Sequence, residues 1–219
     1  PVMRFSEFNF PAGYAMPVSA DPNGGGSQVN TWTLFLDVLY PQESHNRWRA
    51  LIDTDGGFFG TDADFFINPA NGIGISGNYS GSIQPNTWHR IAIVVDAPNN
   101  QIRKYIDGIE VGTQAAGGAS AVDGRWALTA GGTATLFADN DGEVAPGFVS
   151  SIQLQDVALE RGQIAAYGGP SAAGVPTPPP AVPSSLLAWI PRGDLAMPNT
   201  DIGIVLERGG GTIDQASIV

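Results

Sequence analysis

The chain has 219 residues, 42% of them hydrophobic, and contains no cysteine. A chain of this length can bury one substantial core, and without cysteine it can form no disulfide, zinc–thiolate site or thiol nucleophile. Ten basic residues stand against 21 acidic ones, which gives a net charge of −11. This charge repels phosphate backbones and anionic headgroups, so we expect no nucleic-acid partner. No stretch reaches the ~18 apolar residues of a membrane span, so we expect no membrane insertion.

The first long strand is predicted over residues 28–40. Trp32, Leu34, Leu36 and Val38 alternate there with Thr33, Phe35 and Asp37, a period that predicts a strand with one deeply buried face. Clusters of Gly, Pro, Asn and Asp separate the remaining strand candidates. These candidates cover residues 2–5, 48–54, 64–68, 72–77, 135–138 and 148–156.

Residues 86–112 predict a pair of half-buried strands followed by a tight hairpin. Ile91, Ile93 and Val95 recur at every second position after Trp88, which is the period of a strand. Asp107-Gly108 follows the next alternating segment, and this dipeptide suits a two-residue turn whose central residues have positive φ. The chain is therefore expected to fold back at this point.

One short helix is predicted at 159–167, ended by Gly168-Gly169-Pro170. The 29 glycines and 17 prolines of the chain suit many short strands joined by turns. About ten short strands together indicate an all-β jelly-roll sandwich.

Several ordered sequence pieces resemble the laminin-G-like branch of the concanavalin A-like lectin and glucanase superfamily. The clearest pieces are WHRIAIVVD and YIDGIEVG, accompanied by MRF, TWTLFLDV, WRALIDTD, DGRWAL, LFADNDGE and PGFVSSIQLQDVAL. The resemblance spans roughly residues 2–170 and implies a concanavalin A-like jelly-roll sandwich. Since this superfamily includes lectins, hydrolases and structural modules, the resemblance alone does not fix the function.

Three segments are predicted. Residues 1–169 form the laminin-G-like sandwich, and the Pro-rich residues 170–185 form an extended linker with polyproline II character. Residues 186–219 are apolar and β-branched again, and about 34 residues seldom bury enough surface to fold alone. We expect this tail to dock on a partner or to belong to a truncated module, with a homo-oligomer formed through residues 186–219 as one outcome.

Asp139, Asp141 and Glu143 place carboxylates at alternate positions around Gly142. Oxygen donors in such a turn suit calcium, and the family resemblance implies calcium held by loop aspartates at a sandwich rim. The other interpretation is an ordinary polar turn. A glycine-rich loop is bracketed by two acidic pairs, Asp53 with Asp55 and Asp62 with Asp64. These carboxylates have the same two interpretations, a cation site or solvated turn acids.

The sequence argues against catalysis. The E-x-D-x-x-E strand of the superfamily's glucanases is absent, and neither His45 nor His89 accompanies a nucleophile motif. Phe58, Phe59 and Tyr79 lie in or beside glycine-rich loops, where aromatic rings can stack on sugars. Trp32, Trp48, Trp88 and Trp126 are expected to be core anchors.

Two functional hypotheses remain open. The first is a non-catalytic extracellular or surface-displayed binding and adhesion module, whose partner is a glycan or protein at a cell or particle surface. The second is a structural subunit of a filament, capsid-decoration or surface assembly, with the C-terminal tail as an assembly arm that adds strands to a neighbour.

Overall fold

The computed structural model describes residues 2–7, 13–54, 64–140 and 142–176 in full, and the backbone of strands at 8–9, 186–190, 203–207 and 214–217. The chain divides into two compact units, 1–175 and 176–219. The first unit contains fourteen strands and one α-helix in its described part. Its strands are β1 (Met3–Phe5), β2 (Phe8–Asn9), β3 (Tyr14–Pro17), β4 (Thr31–Leu39), β5 (Arg49–Asp53), β6 (Asp64–Ile67), β7 (Ile73–Ile75), β8 (Asn78–Ser80), β9 (Trp88–Asp96), β10 (Gln101–Ile106), β11 (Ile109–Gln114), β12 (Thr133–Leu136), β13 (Ala138–Asp139) and β14 (Gly147–Gln155), and its helix is α1 (Arg161–Tyr167).

Two antiparallel six-stranded sheets form the jelly-roll sandwich. Sheet 1 has the order β1-β14-β4-β9-β10-β11, and sheet 2 has the order β3-β12-β5-β6-β7-β8. The short strands β2 and β13 pair in parallel beside them. The all-β sandwich with one short helix that the sequence predicts is therefore confirmed.

The main core fills the space between the two sheets. Strand β4 contributes Trp32, Leu34, Leu36 and Val38 to it, and sheet 2 contributes buried residues such as Phe65. The indole Nε1 of Trp32 donates a hydrogen bond to the carbonyl oxygen of Trp126 (2.8 Å). The buried Trp ring thus keeps its one polar group satisfied.

A second apolar cluster lies on the opposite face of sheet 1. Phe35, Ala92 and Tyr105 are buried there against Leu159 and Ile164, which belong to the segment around α1. The prediction that β4 buries only one face is therefore wrong, because the chain after β14 returns across sheet 1 and covers its outer side.

A buried ion pair anchors this returning segment. The Arg90 guanidinium binds both carboxylate oxygens of Asp37, at 2.7 and 2.8 Å. It also donates hydrogen bonds to the carbonyl oxygens of Tyr167 (2.6 Å) and Gly174 (2.9 Å). Contacts to the sandwich thus continue past residue 169, where the sequence places the end of the sandwich.

The predicted hairpin is present. Asp107 has φ +53° and Gly108 has φ +81°, the backbone of a two-residue turn that matches strand twist. Ile106 and Ile109 pair directly across the turn. The sequence does not predict β2, β3 or β8, all of them two to four residues long, because so few residues carry too little periodicity.

The second unit contains a three-stranded antiparallel sheet. Its strands are β15 (Leu186–Ile190), β16 (Gly203–Glu207) and β17 (Asp214–Ser217), in the order β15-β16-β17. Within the described residues, no helix has the length and apolarity needed to cross a membrane.

Candidate functional site

An aromatic cluster lies on the side of sheet 2 that faces away from sheet 1. Pairing places Phe66 opposite Gly74, and Gly74 opposite Tyr79, so all three share one face of the sheet. The Trp48 ring contacts Phe66 edge to face at 5.7 Å and Tyr79 at 5.5 Å between ring centroids. Gly74 contributes no side chain between its two neighbours, and Trp48 bridges them.

Trp48 and Tyr79 are the less buried members of this cluster. Both are half-buried, whereas Phe66 is buried beneath them. The prediction that a loop carries Tyr79 is wrong, because Tyr79 is the central residue of β8. Trp48 packs against the core from outside rather than lying within it, which the sequence does not predict. The other two predicted ligand-binding residues, Phe58 and Phe59, lie outside the described residues.

Two carboxylates occupy the same face of sheet 2. Asp53 and Asp64 pair directly across β5 and β6, and Asp64 lies two residues before Phe66 on one strand. Both aspartates are buried. The strands thus bring together one member of each predicted D-x-D pair, while Asp55 and Asp62 lie outside the described residues.

Two of the three predicted calcium ligands are described. Asp139 ends β13 and is buried, and its Oδ2 accepts a hydrogen bond from the backbone N–H of Glu143 (2.9 Å). One carboxylate oxygen therefore helps to close the turn. Asp141 lies outside the described residues, and the residues that are described contain no group of three acidic or histidine side chains able to hold a metal.

The geometry of His89 does not suit general-base catalysis. Its Nε2 accepts a hydrogen bond from the backbone N–H of Gln84 (3.1 Å), so Nδ1 carries the proton and donates it to Asp107 (2.8 Å). Both ring nitrogens are therefore occupied by structural bonds. The pair holds the β10–β11 hairpin against the start of β9.

Lys104 does not suit covalent catalysis either. Its ammonium group donates to the backbone oxygen of Asn78 (2.5 Å) from a fully buried position. Burial lowers the pKa of Lys104 from its usual 10.5 to about 8, because desolvation disfavours the charged amine. An amine with no solvent exposure cannot reach a bulky glycan, so we assign Lys104 a structural role.

The fold agrees with the family comparison. A laminin-G family model, described as the concanavalin A-like lectin/glucanases superfamily, matches residues 25–165. The chain therefore belongs to this superfamily, as its sequence motifs predict. A search of curated proteins gave no match.

Solved structures share the sandwich at low sequence identity. The Ruminococcus gnavus IT-sialidase CBM40 is 14% identical with a TM-score of 0.50, over 76% of this chain and 98% of that chain. Trypanosoma rangeli sialidase with 2,3-difluorosialic acid is 15% identical with a TM-score of 0.51, over 74% of this chain but 26% of the enzyme. The heptameric SAP-like pentraxin of Limulus polyphemus is 15% identical with a TM-score of 0.49, over 75% of this chain and 80% of that chain. At such identities the likeness to the two structures with TM-scores of 0.50 and 0.51 establishes the fold alone.

Proposed function

We propose that the sandwich is a non-catalytic module that binds glycans outside the cell or on a surface. The observation that carries this proposal is the half-buried pair Trp48 and Tyr79 on the outer face of sheet 2. Membership of a superfamily that includes lectins supports the same class of ligand.

The aromatic pair suits a sugar for physical reasons. A pyranose has apolar C–H faces that pack on aromatic rings, and Tyr combines an apolar ring with a polar hydroxyl. Trp48 and Tyr79 meet at an interplanar angle of 65°, so together they present an angled aromatic surface. The buried Phe66 packs edge to face against Trp48, which limits the side-chain entropy that ordering Trp48 on binding would cost.

The carboxylate pair of sheet 2 and the histidine of β9 do not suit glycoside hydrolysis. Glycoside hydrolysis requires two carboxyl groups flanking the scissile bond, and Asp53 and Asp64 are both buried within sheet 2. His89 is held by structural hydrogen bonds at both nitrogens. Neither arrangement offers an accessible acid and base, so binding is the activity that the geometry favours.

Affinity electrophoresis in gels containing neutral polysaccharides tests the proposal. A panel of laminarin, galactomannan, xyloglucan and soluble starch should include at least one that retards the wild-type protein. Trp48→Ala and Tyr79→Ala should each weaken that interaction about tenfold, since one stacking ring contributes roughly 1 kcal/mol or more.

Two controls separate stacking from folding. Tyr79→Phe keeps the ring and should retain binding, and Ile109→Ala changes an exposed apolar residue on the edge strand of sheet 1. Circular dichroism melts identify any variant that has unfolded. Mobility unaffected by all four polysaccharides, or unchanged binding in folded Trp48→Ala and Tyr79→Ala, would contradict the proposal.

We further propose that Asp139, Asp141 and Glu143 bind one calcium ion that stabilises the sandwich. Support comes from the position of Asp139 and Glu143 in one turn, where their contact fixes the backbone around Gly142. A ligand that binds only the folded state stabilises it by ~2.7 kcal/mol at a hundredfold excess over Kd. Thermal melts with calcium and with chelator should therefore differ for the wild type and coincide for Asp141→Asn. Superimposable wild-type melts would contradict this.

A further inference from the structure

A row of four side chains crosses one end of the outer face of sheet 1. Arg4 of β1 pairs with Phe148 of β14, Phe148 pairs with Leu39 of β4, and Leu39 pairs with Trp88 of β9. Directly paired residues share one face of a sheet, so these four side chains form a single line, which we call the outer strip. Because neighbouring strands lie ~4.8 Å apart, the strip is roughly 14 Å long.

The next row on the same face is covered. It contains Asp37 and Arg90, which pair across β4 and β9 and are both buried. The carbonyl oxygens of Tyr167 and Gly174 accept hydrogen bonds from Arg90. Residues 156–175, which return across sheet 1, therefore lie over this row.

The outer strip is less covered than that row. Phe148, Leu39 and Trp88 are half-buried, so each keeps part of its surface exposed, and Arg4 is exposed. Within the described part of the chain, neither core cluster includes any of these side chains. Trp88, which the sequence predicts as a core anchor, instead lies with two other apolar side chains on the outside of the sandwich.

Arg4 is an unusual cation in this chain. No hydrogen bond or ion pair joins it to another residue, whereas every other Lys and Arg in the described ranges has a hydrogen bond, an ion pair or a ring contact. The chain as a whole carries a net charge of −11. An exposed guanidinium without a partner, at the end of an apolar row, thus remains available to an anionic group.

The two parts of the strip recognise different parts of a sugar chain. Apolar and aromatic side chains pack on the C–H faces of sugar rings, and a guanidinium binds a carboxylate through two parallel hydrogen bonds. A polyanion would be repelled by the net charge of the chain. A single carboxylate is not excluded in this way, because salt screens charges beyond ~10 Å at 0.1 M.

We propose that the outer strip binds a short stretch of a mostly neutral glycan that carries one uronic acid. Arg4 holds the carboxylate, and Phe148, Leu39 and Trp88 lie against the neighbouring sugar rings. The proposal rests on the proposed function, since it assigns this strip a ligand of the same class. The surface is a different one, because Trp48 and Tyr79 lie on the outer face of sheet 2.

Isothermal titration calorimetry of the full chain with xylan oligosaccharides that carry one glucuronic acid tests the strip. The matched ligand is the same oligosaccharide after reduction of its carboxyl group to an alcohol. The wild type should bind the acidic form about fivefold more tightly, the effect of one exposed ion pair. Arg4→Gln should remove this preference, and Trp88→Ala should weaken binding of both forms about tenfold.

Two controls separate the ion pair from the overall charge and from folding. Arg161→Gln removes another exposed arginine, which pairs with Glu110, and should leave the preference unchanged. Arg4→Lys keeps the charge and should retain part of it. Circular dichroism melts identify unfolded variants, and if Trp88→Ala is one of them, Arg4→Gln, on the edge strand β1, still decides the proposal.

No binding of the acidic oligosaccharide, equal binding of its two forms by the wild type, or unchanged binding in folded Trp88→Ala would overturn the strip. None of these results decides the proposed function, which neutral polysaccharides and the Trp48 and Tyr79 variants test separately. Binding of the acidic form that survives Trp48→Ala but is lost in Trp88→Ala would establish two separate sites, and the reverse would overturn the proposal.

Discussion

Asp123 shows how one carboxylate can organise two loops. Its oxygens accept hydrogen bonds from the backbone N–H groups of Ser27 and Gln28, from the Ser27 hydroxyl and from the Asn30 amide, at 2.7–3.0 Å. The Asn30 bond and then the Ser27 backbone bond are the main causes that lower the pKa of Asp123 from its usual 3.8 to about 2. Hydrogen bonds of this kind favour the charged form.

This shift predicts acid sensitivity with a definite sign. Because the folded-state pKa is lower than the unfolded one, the ionised Asp123 stabilises the fold above pH 3.8, and this contribution is lost as the pH falls towards 2. Thermal midpoints measured from pH 5 to pH 2 should show Asp123→Asn less stable at pH 5, with the difference shrinking towards pH 2. A constant difference across this range would contradict the assignment.

At the scale of elements, the β10–β11 hairpin depends on glycine. Gly108 has φ +81°, and a Cβ atom added there would lie 3.0 Å from the Cα of Gly168. Gly168 directly follows α1. Gly108 therefore both adopts the backbone of the turn and leaves room for the end of the helix.

Gly108→Ala should therefore destabilise the protein by about 1–2 kcal/mol, because an L-residue is disfavoured in the left-handed region. Gly162→Ala is a matched control with the opposite sign. Gly162 lies within α1, and an added Cβ there meets nothing within 4 Å, so alanine should stabilise by roughly 0.5–1 kcal/mol. Urea unfolding of both variants checks this, and equal effects in the two would refute the role of backbone conformation.

The elements that could be predicted from sequence are those in which apolar and polar residues alternate over a long run. Strand β9 and the turn at Asp107-Gly108 follow from alternation and from turn chemistry. The burial of Thr33, Phe35 and Asp37 does not follow. It depends on α1 returning across sheet 1, and a contact between residues more than a hundred positions apart leaves no local periodicity.

The candidate sites were less predictable for the same reason. Tyr79 is identifiable as an aromatic residue near glycines, but its partnership with Trp48 requires the order of strands in sheet 2.

At the scale of the whole molecule, the division into units at residues 175 and 176 bears on assembly. A three-stranded sheet as small as β15-β16-β17 has few residues with which to build a core. We propose that this unit acts through contact with another chain, as an arm whose strand edges pair with a neighbour.

Deletion of residues 177–219 should leave a sandwich with an unchanged thermal midpoint, because the core clusters and the Arg90 anchor all lie before residue 176. The full chain should form a larger species than the shortened one, measured by sedimentation velocity at several concentrations. Monomers in both cases, or the same oligomer in both, would contradict the role of the arm.

The central claim, binding without turnover, is tested most directly by incubating the full chain with the polysaccharide that retards it and measuring reducing ends over time. Because Asp53 and Asp64 are buried and His89 is held by hydrogen bonds at both ring nitrogens, the account predicts no release above a protein-free blank while binding persists. Reducing ends that accumulate in proportion to protein concentration would contradict it.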